Sequence, residues 1–178
     1  MKLIETPVSS EEIFSGEVVH LVRDTVKLPN GKLATREIVR HPGAVCIVPL
    51  TEDEEVYVER QFRYAFNQVL LEIPAGKLER GEDPLLAAKR ELSEETGISA
   101  ERWESLGEFW GSVAIFDERI HTFLARGLSF ARAHMDEDEF LNVERMPLKT
   151  LRDMVLRGEI RDGKTQSAIL KTWAKLHG

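Results

Sequence analysis

Between Gly76 and Ile98 the chain gathers Glu82, Arg90, Glu91, Glu94 and Glu95 within a short span. Placed on a helix, Glu91, Glu94 and Glu95 stand three and four residues apart and therefore share one side. Leu85, Ala88 and Leu92 form a second stripe, roughly a quarter turn away, that suits a core. Like charges at helical spacing repel by roughly a few tenths of a kcal/mol per exposed pair, and by more in a pocket. A hard divalent cation such as Mg²⁺ would relieve that repulsion, because it takes oxygen ligands, keeps several waters and joins carboxylates to a substrate phosphate. The competing reading is a solvated acidic helix face that binds nothing.

The acids need a helix, and the signals for one are local. Asp83 suits the N-cap, Pro84 the first helical position and Gly97 the position just past the last turn. Upstream, Ala44 to Leu50 is apolar without alternation and is preceded by His41-Pro42-Gly43. That pattern predicts a strand buried on both faces, hence a mixed sheet with helices on its faces. Further strand patterns lie at Glu55 to Glu59, Val69 to Ile73, Trp103 to Phe109, Ile120 to Ala125 and Phe140 to Met146, with Pro74-Ala75-Gly76 expected to end the early series. Helical spacing fits Leu148 to Arg157 and Thr165 to Leu176. The first forty residues differ: Phe14 to Val26 alternates, Pro29-Asn30-Gly31 supplies a turn, and Ala34 to Val39 alternates again. This predicts a small antiparallel sheet, residues 1–40, that must pack on the domain formed by residues 41–178 or on a second copy.

Composition excludes several classes. Of 178 residues, 24 are Lys or Arg and 31 are Asp or Glu, a net charge of −7 without any basic cluster. Nucleic acid is therefore not expected as a partner. No apolar run approaches the ~18–20 residues that span a bilayer, and the N-terminus lacks a secretory signal pattern. The single cysteine, Cys46, sits in an apolar run and reads as a small buried side chain. A cytoplasmic location is the expectation.

The spacing Gly76, five residues, Glu82, seven residues, Arg90-Glu91-Leu92, one residue, Glu94-Glu95, one residue, Gly97-Ile98 resembles the complete Nudix box. The likeness extends to His41-Pro42-Gly43-Ala44-Val45, Gln61-Phe62-Arg63, Leu71 to Lys77, Gly158-Glu159-Ile160 and Asp162 to Thr165, which resemble the ADP-ribose pyrophosphatase branch. The resemblance implies an α/β fold, an α/β/α sandwich with a mixed sheet, preceded by an N-terminal sheet through which two subunits form a homodimer. It also implies Mg²⁺- or Mn²⁺-dependent hydrolysis of ADP-ribose or a related nucleoside diphosphate sugar. Members selective for ADP-ribose carry a proline in the loop after the box, where this chain has Val113, so base and sugar stay open. A sensor of the same fold that binds a nucleotide sugar without cutting it is the alternative.

By the same resemblance Glu91 and Glu95 are metal ligands, Glu94 bridges or holds metal-bound water, and the Ala75 carbonyl completes the set. Glu82 and Arg90 tie the loop to the helix, against the competing reading of a surface salt bridge. The base is expected in Met135 to Phe140, with Glu139 first and Glu137 second, although an acidic loop can simply be soluble. Arg63 resembles a phosphate- or ribose-binding arginine, with an exposed strand-end charge as the alternative. Glu72 faces substrate or metal, and Arg36 and Glu37 reach the base from a partner subunit. Phe14, Phe62, Phe66 and Trp110 could stack on that base or belong to the core.

Overall fold

The computed structural model describes residues 2–131 and 140–178. The chain divides into two units: Met1–Pro42 with Trp110–Arg119, and Gly43–Phe109 with Ile120–Gly178.

The first unit holds β1 (Thr6–Ser15), β2 (His20–Lys27) and β3 (Leu33–Arg40) in one antiparallel sheet of that order. The expected run from Phe14 to Val26 is split, because Gly16 turns the chain, its N–H donating to the Val19 carbonyl at 2.8 Å. β1 was not foreseen as a strand, since all ten of its residues are exposed and no burial pattern marks it. The segment Trp110–Arg119 docks on β3: Val39 N–H donates to Ile115 O at 2.8 Å, and Arg40 Nη1 donates to Asp117 Oδ2 at 3.0 Å.

In the second unit, β4 (Ala44–Pro49) is buried at every residue. It runs parallel to β9 (Ile120–Phe130) and antiparallel to β7 (Ala75–Lys77), while β9 pairs antiparallel with β8 (Ile98–Phe109). The mixed sheet has the order β7-β4-β9-β8. Residues 75–77 thus continue the strand series, contrary to expectation; with Gly76 and only three residues they carry no strand pattern of their own. A second sheet orders β10 (Leu141–Pro147), β5 (Glu55–Arg63) and β6 (Gln68–Glu72).

Side chains alternate across β4, so each face has its own core. Val45 and Ile47 pack with Ala87, Ala88 and Leu92 of α1 (Pro84–Thr96). Cys46 and Val48 pack with Leu148 and Leu151 of α2 (Leu148–Leu156) and with Ile169 of α3 (Gly163–His177). Each fully buried Val, Leu or Ile among them contributes about 1.5–3 kcal/mol. This is the layered α/β arrangement expected of the second domain. Cys46 is fully buried, and desolvation pushes its thiol up to about 11. No helix among the described residues is long and apolar enough to cross a membrane.

Candidate functional site

α1 begins where expected: Asp83 Oδ1 accepts from the N–H groups of Leu85 and Leu86 at 2.9 and 3.1 Å, and Gly97 caps the end with φ 70°. Its core stripe takes in Ala87 beside Ala88 and Leu92, whereas Leu85 is only half-buried. The acidic side is not a solvated face. Glu95 is 3% exposed and the Glu91 side chain 12%, with Glu94 open at 43%.

Arg90 organises this side. Its Nε and Nη2 bind both oxygens of Glu82 at 3.0 and 2.9 Å. Its Nη1 reaches Glu91 Oε1 at 2.8 Å and Glu94 Oε2 at 3.0 Å, and Nη2 also donates to the Lys77 carbonyl at 3.2 Å. Glu82 in addition accepts from Glu79 N–H at 2.9 Å. Arg90's hydrogen bonds hold the Glu82 carboxyl below its usual range, and Glu82 in turn raises Arg90. One guanidinium therefore joins the loop before α1, the helix and β7.

β7 meets the helix from the other side. Ala75 N–H donates to Glu95 Oε2 at 3.1 Å. At Gly76 a Cβ would lie 1.9 Å from Glu91 Cδ, so the Glu91 carboxylate occupies space that any other residue would fill. The fixed glycine of the box has this steric reason, which its spacing alone did not disclose. Carboxylates with a backbone carbonyl beside them are the donor set of a hard divalent cation, and Gly76 leaves room for the glutamate head against the backbone. Donor type and space thus fit such an ion. Among the described residues, no three acidic, His or Cys side chains are gathered closely enough to hold it as they stand. Arg90 Nη1 is instead the cation shared by Glu91 and Glu94.

The second cluster lies at the end of β5 and β6. Arg63 Nε and Nη2 bind the two oxygens of Glu72 at 2.7 and 2.8 Å, a planar bidentate pair. Lys164 Nζ also binds Glu72 and reaches Asp162 Oδ2 at 3.0 Å. Burial alone would raise Glu72, but Arg63 and Lys164 outweigh it and hold the carboxyl down at about 2. Burial likewise disfavours the Lys164 charge, yet Asp162 and Glu72 lift it above the ordinary lysine value. Glu72 raises Arg63, and Glu95 is near enough to add to that. Around them opens a cleft of about 390 Å³ lined also by Phe62, Tyr64 and Phe66.

Arg63 and Glu72 are thus brought together, with Glu72 turned to two cations. Arg36 and Glu37 belong to the first unit, where Arg36 Nη2 binds Glu5 at 2.5 Å and Glu37 accepts from Arg23 at 3.2 Å. Glu137 and Glu139 lie outside the described residues. Val113 is 72% exposed, in the segment that docks on β3. Phe14, Phe62, Phe66 and Trp110 are all more than half exposed, which excludes the core reading for each. Lys164 and Asp162 had no assigned role in the sequence. The Asp-Gly-Lys-Thr run marks a helix start, but nothing local ties it to Glu72, 92 residues away.

Comparison with known proteins gives the family. A family model for the NUDIX domain matches residues 40–166. The ADP-ribose pyrophosphatase of Bacillus subtilis (strain 168) is 43% identical over 169 residues, covering 94% of this chain and 91% of that protein. A methanol dehydrogenase activator of Bacillus methanolicus is 44% identical over 93% of this chain and 90% of its own length. A solved structure of an ADP compounds hydrolase has the same fold, with TM-score 0.87 at 24% identity, covering 100% of this chain and 98% of that one. The chain belongs to the Nudix family.

Proposed function

We propose that this chain hydrolyses the diphosphate bridge of ADP-ribose or a related nucleoside diphosphate sugar, releasing a nucleoside monophosphate and a sugar phosphate. The observation that carries the reading is the pair of buried carboxylates, Glu91 and Glu95, set against the backbone at Gly76 and Ala75. Acids this enclosed, with Glu91 sharing the Arg90 guanidinium with Glu82 and Glu94, suit a cation better than solvent. Relatives named ADP-ribose pyrophosphatase, at 43% and 35% identity, and GDP-mannose pyrophosphatase, at 33%, support the substrate class.

Glu91, Glu95 and the Ala75 carbonyl would hold a divalent ion, Mg²⁺ or Mn²⁺, with Glu94 beside them. When bound, such an ion would supply charge neutralisation of the diphosphate and make water more acidic. Arg90 keeps Glu82 and the helix in register, so that the acids present together. Arg63, its Nε and Nη2 held by Glu72, offers its remaining N–H groups to phosphate oxygens at the mouth of the cleft. Glu139, or Glu137, accepts the proton of the attacking water as its oxygen bonds to phosphorus and the bridging P–O bond breaks. Arg36 and Glu37 serve the base from a second copy of the chain. β1, an edge strand exposed along its whole length, supports a homodimer formed through residues 1–40.

A panel of ADP-ribose, ADP-glucose, GDP-mannose, UDP-glucose and a deoxynucleoside triphosphate tests this directly. Turnover of a diphosphate sugar to two products in equal amounts is expected, abolished by a chelator and restored by Mg²⁺. Pyrophosphate release from the triphosphate alone would reject it. One observation favours a second reading, regulation of a partner without hydrolysis: a 44% identical relative is named as an activator of methanol dehydrogenase. A wild type that binds but turns over no member of the panel would select that reading.

A further inference from the structure

Glu72 and Ile73 are consecutive, and so are their partners at the start of α3. Lys164 Nζ binds the Glu72 carboxylate, while Ile73 N–H donates to Thr165 Oγ1 at 3.0 Å. Asp162 caps the same turn, accepting from Thr165 N–H at 2.9 Å and binding Lys164 at 3.0 Å. The β6 end and the α3 start are therefore pinned at two adjacent points. Within this joint the Lys164 and Glu72 side chains are 12% and 4% exposed, whereas Arg63 is 41% exposed and faces the cleft.

We propose that Lys164 is a positioning residue: it fixes the Glu72 carboxylate, which in turn presents the Arg63 guanidinium to an anionic nucleotide-sugar ligand in the cleft lined by Phe62, Tyr64 and Phe66. This deepens the hydrolase reading and rests on it. The charge count gives the reason. The charged residues that line the cleft are two of each sign, Arg63 and Lys164 with Glu72 and Asp162, and Arg63 is the exposed cation among them. Without Lys164 one carboxylate is in excess, Glu72 can leave its bidentate geometry, and a diphosphate meets net negative charge. Lys164 itself has little surface left for direct contact, which makes its action indirect.

The test compares Lys164→Met and Lys164→Arg with wild type, using ADP-ribose and Mg²⁺. One unit charge acting over roughly 8 Å at protein-surface dielectric corresponds to about tenfold or more in affinity. For Lys164→Met we expect KM to rise by about that factor with kcat within threefold, and Lys164→Arg to recover most of the loss. An unchanged KM, with or without a lower Tm, would overturn the proposal, as would a loss confined to kcat. If Lys164→Met does not fold, the double variant Glu72→Gln/Lys164→Met removes both buried charges together. It leaves the net charge unchanged but takes the ionised partner from Arg63, so KM should rise by a smaller factor, and an unchanged KM there is equally decisive. If wild type turns over nothing, the hydrolase reading fails separately. Calorimetric binding of ADP-ribose to wild type and to Lys164→Met then decides the inference, and equal Kd values reject it.

Discussion

On α1 and the loop before it, the Arg90 guanidinium draws in three carboxylates, Glu82, Glu91 and Glu94, while Glu95 stands against β7. At the start of α3, two carboxylates, Glu72 and Asp162, meet two cations, Arg63 and Lys164. Both clusters bury much of their charge; around Arg90 three carboxylates share one guanidinium, whereas beside α3 the hydrogen-bonded groups are two of each sign. A balanced buried network needs no further ion and can position the groups at its edge, as it holds Arg63. An unbalanced one holds repulsion that a ligand of opposite sign can relieve, which is why the proposed cation is assigned to the first cluster and not to the second.

The sharpest way to break this contrast is Glu95→Gln. Glutamine keeps an oxygen for Ala75 N–H, so the 3.1 Å contact and the fold survive while the charge is lost. If the surplus binds a catalytic cation, kcat on the preferred diphosphate sugar falls about 10³-fold, equivalent to several kcal/mol of transition-state stabilisation. Steady-state rates alongside Tm check it. A loss under tenfold with Tm unchanged would mean that the acids are structural.

The balanced cluster is probed through acid. Glu72 is held at about 2 in the folded chain against an ordinary 4.5, so the unfolded chain binds its proton more tightly. Its contribution is fully present above pH 4.5 and is lost as pH falls from there towards 2. The full difference is roughly 3 kcal/mol, and part of it should vanish between pH 5 and 3. Urea midpoints at those two pH values should fall further for wild type than for Glu72→Gln. Parallel falls would remove Glu72 from the account.

Gly76→Ala separates the space for a carboxylate from the charge itself. The new Cβ would lie 1.9 Å from Glu91 Cδ, and the flexible glutamate head must move. Activity should drop about 10–100-fold, the range seen when a group that orients a metal ligand is lost, with Tm within a few degrees. Full activity would mean that Glu91 needs no fixed place.

Legibility followed the same division. Asp83, Pro84 and Gly97 mark α1 within its own length, and the uninterrupted apolar run of β4 announced burial on both faces; each is a local signal. That Glu91, Glu94 and Glu95 lie on one helix was readable for the same reason, although how closely their carboxylates gather was not. β1 was hidden because an exposed edge strand has no alternation to read, and β7 because three residues around a glycine have no period. The Glu72 to Lys164 pairing joins residues 92 apart, and only the packing of α3 against the sheets produces it. The contact between Gly76 and Glu91 is a tertiary fact of the same kind.

The smallest expected effect is at Asp83, and it sharpens the contrast from the helix's own end. Asp83→Ala removes the acceptor of the Leu85 and Leu86 N–H groups, at a cost of about 1 kcal/mol, or roughly 2–4 °C in Tm for a chain of this size. Glu82, its neighbour, is held by Arg90 and by Glu79 N–H rather than by Asp83, so the acids should keep their places. Turnover and KM should therefore stay within about twofold while thermal melting shifts, since a frayed first turn lies at the far end of the helix from Glu94 and Glu95. A fall in kcat larger than the stability loss would mean that the acidic surplus depends on the whole helix being capped. The carboxylate cluster would then be as much a product of the scaffold as the balanced one beside α3.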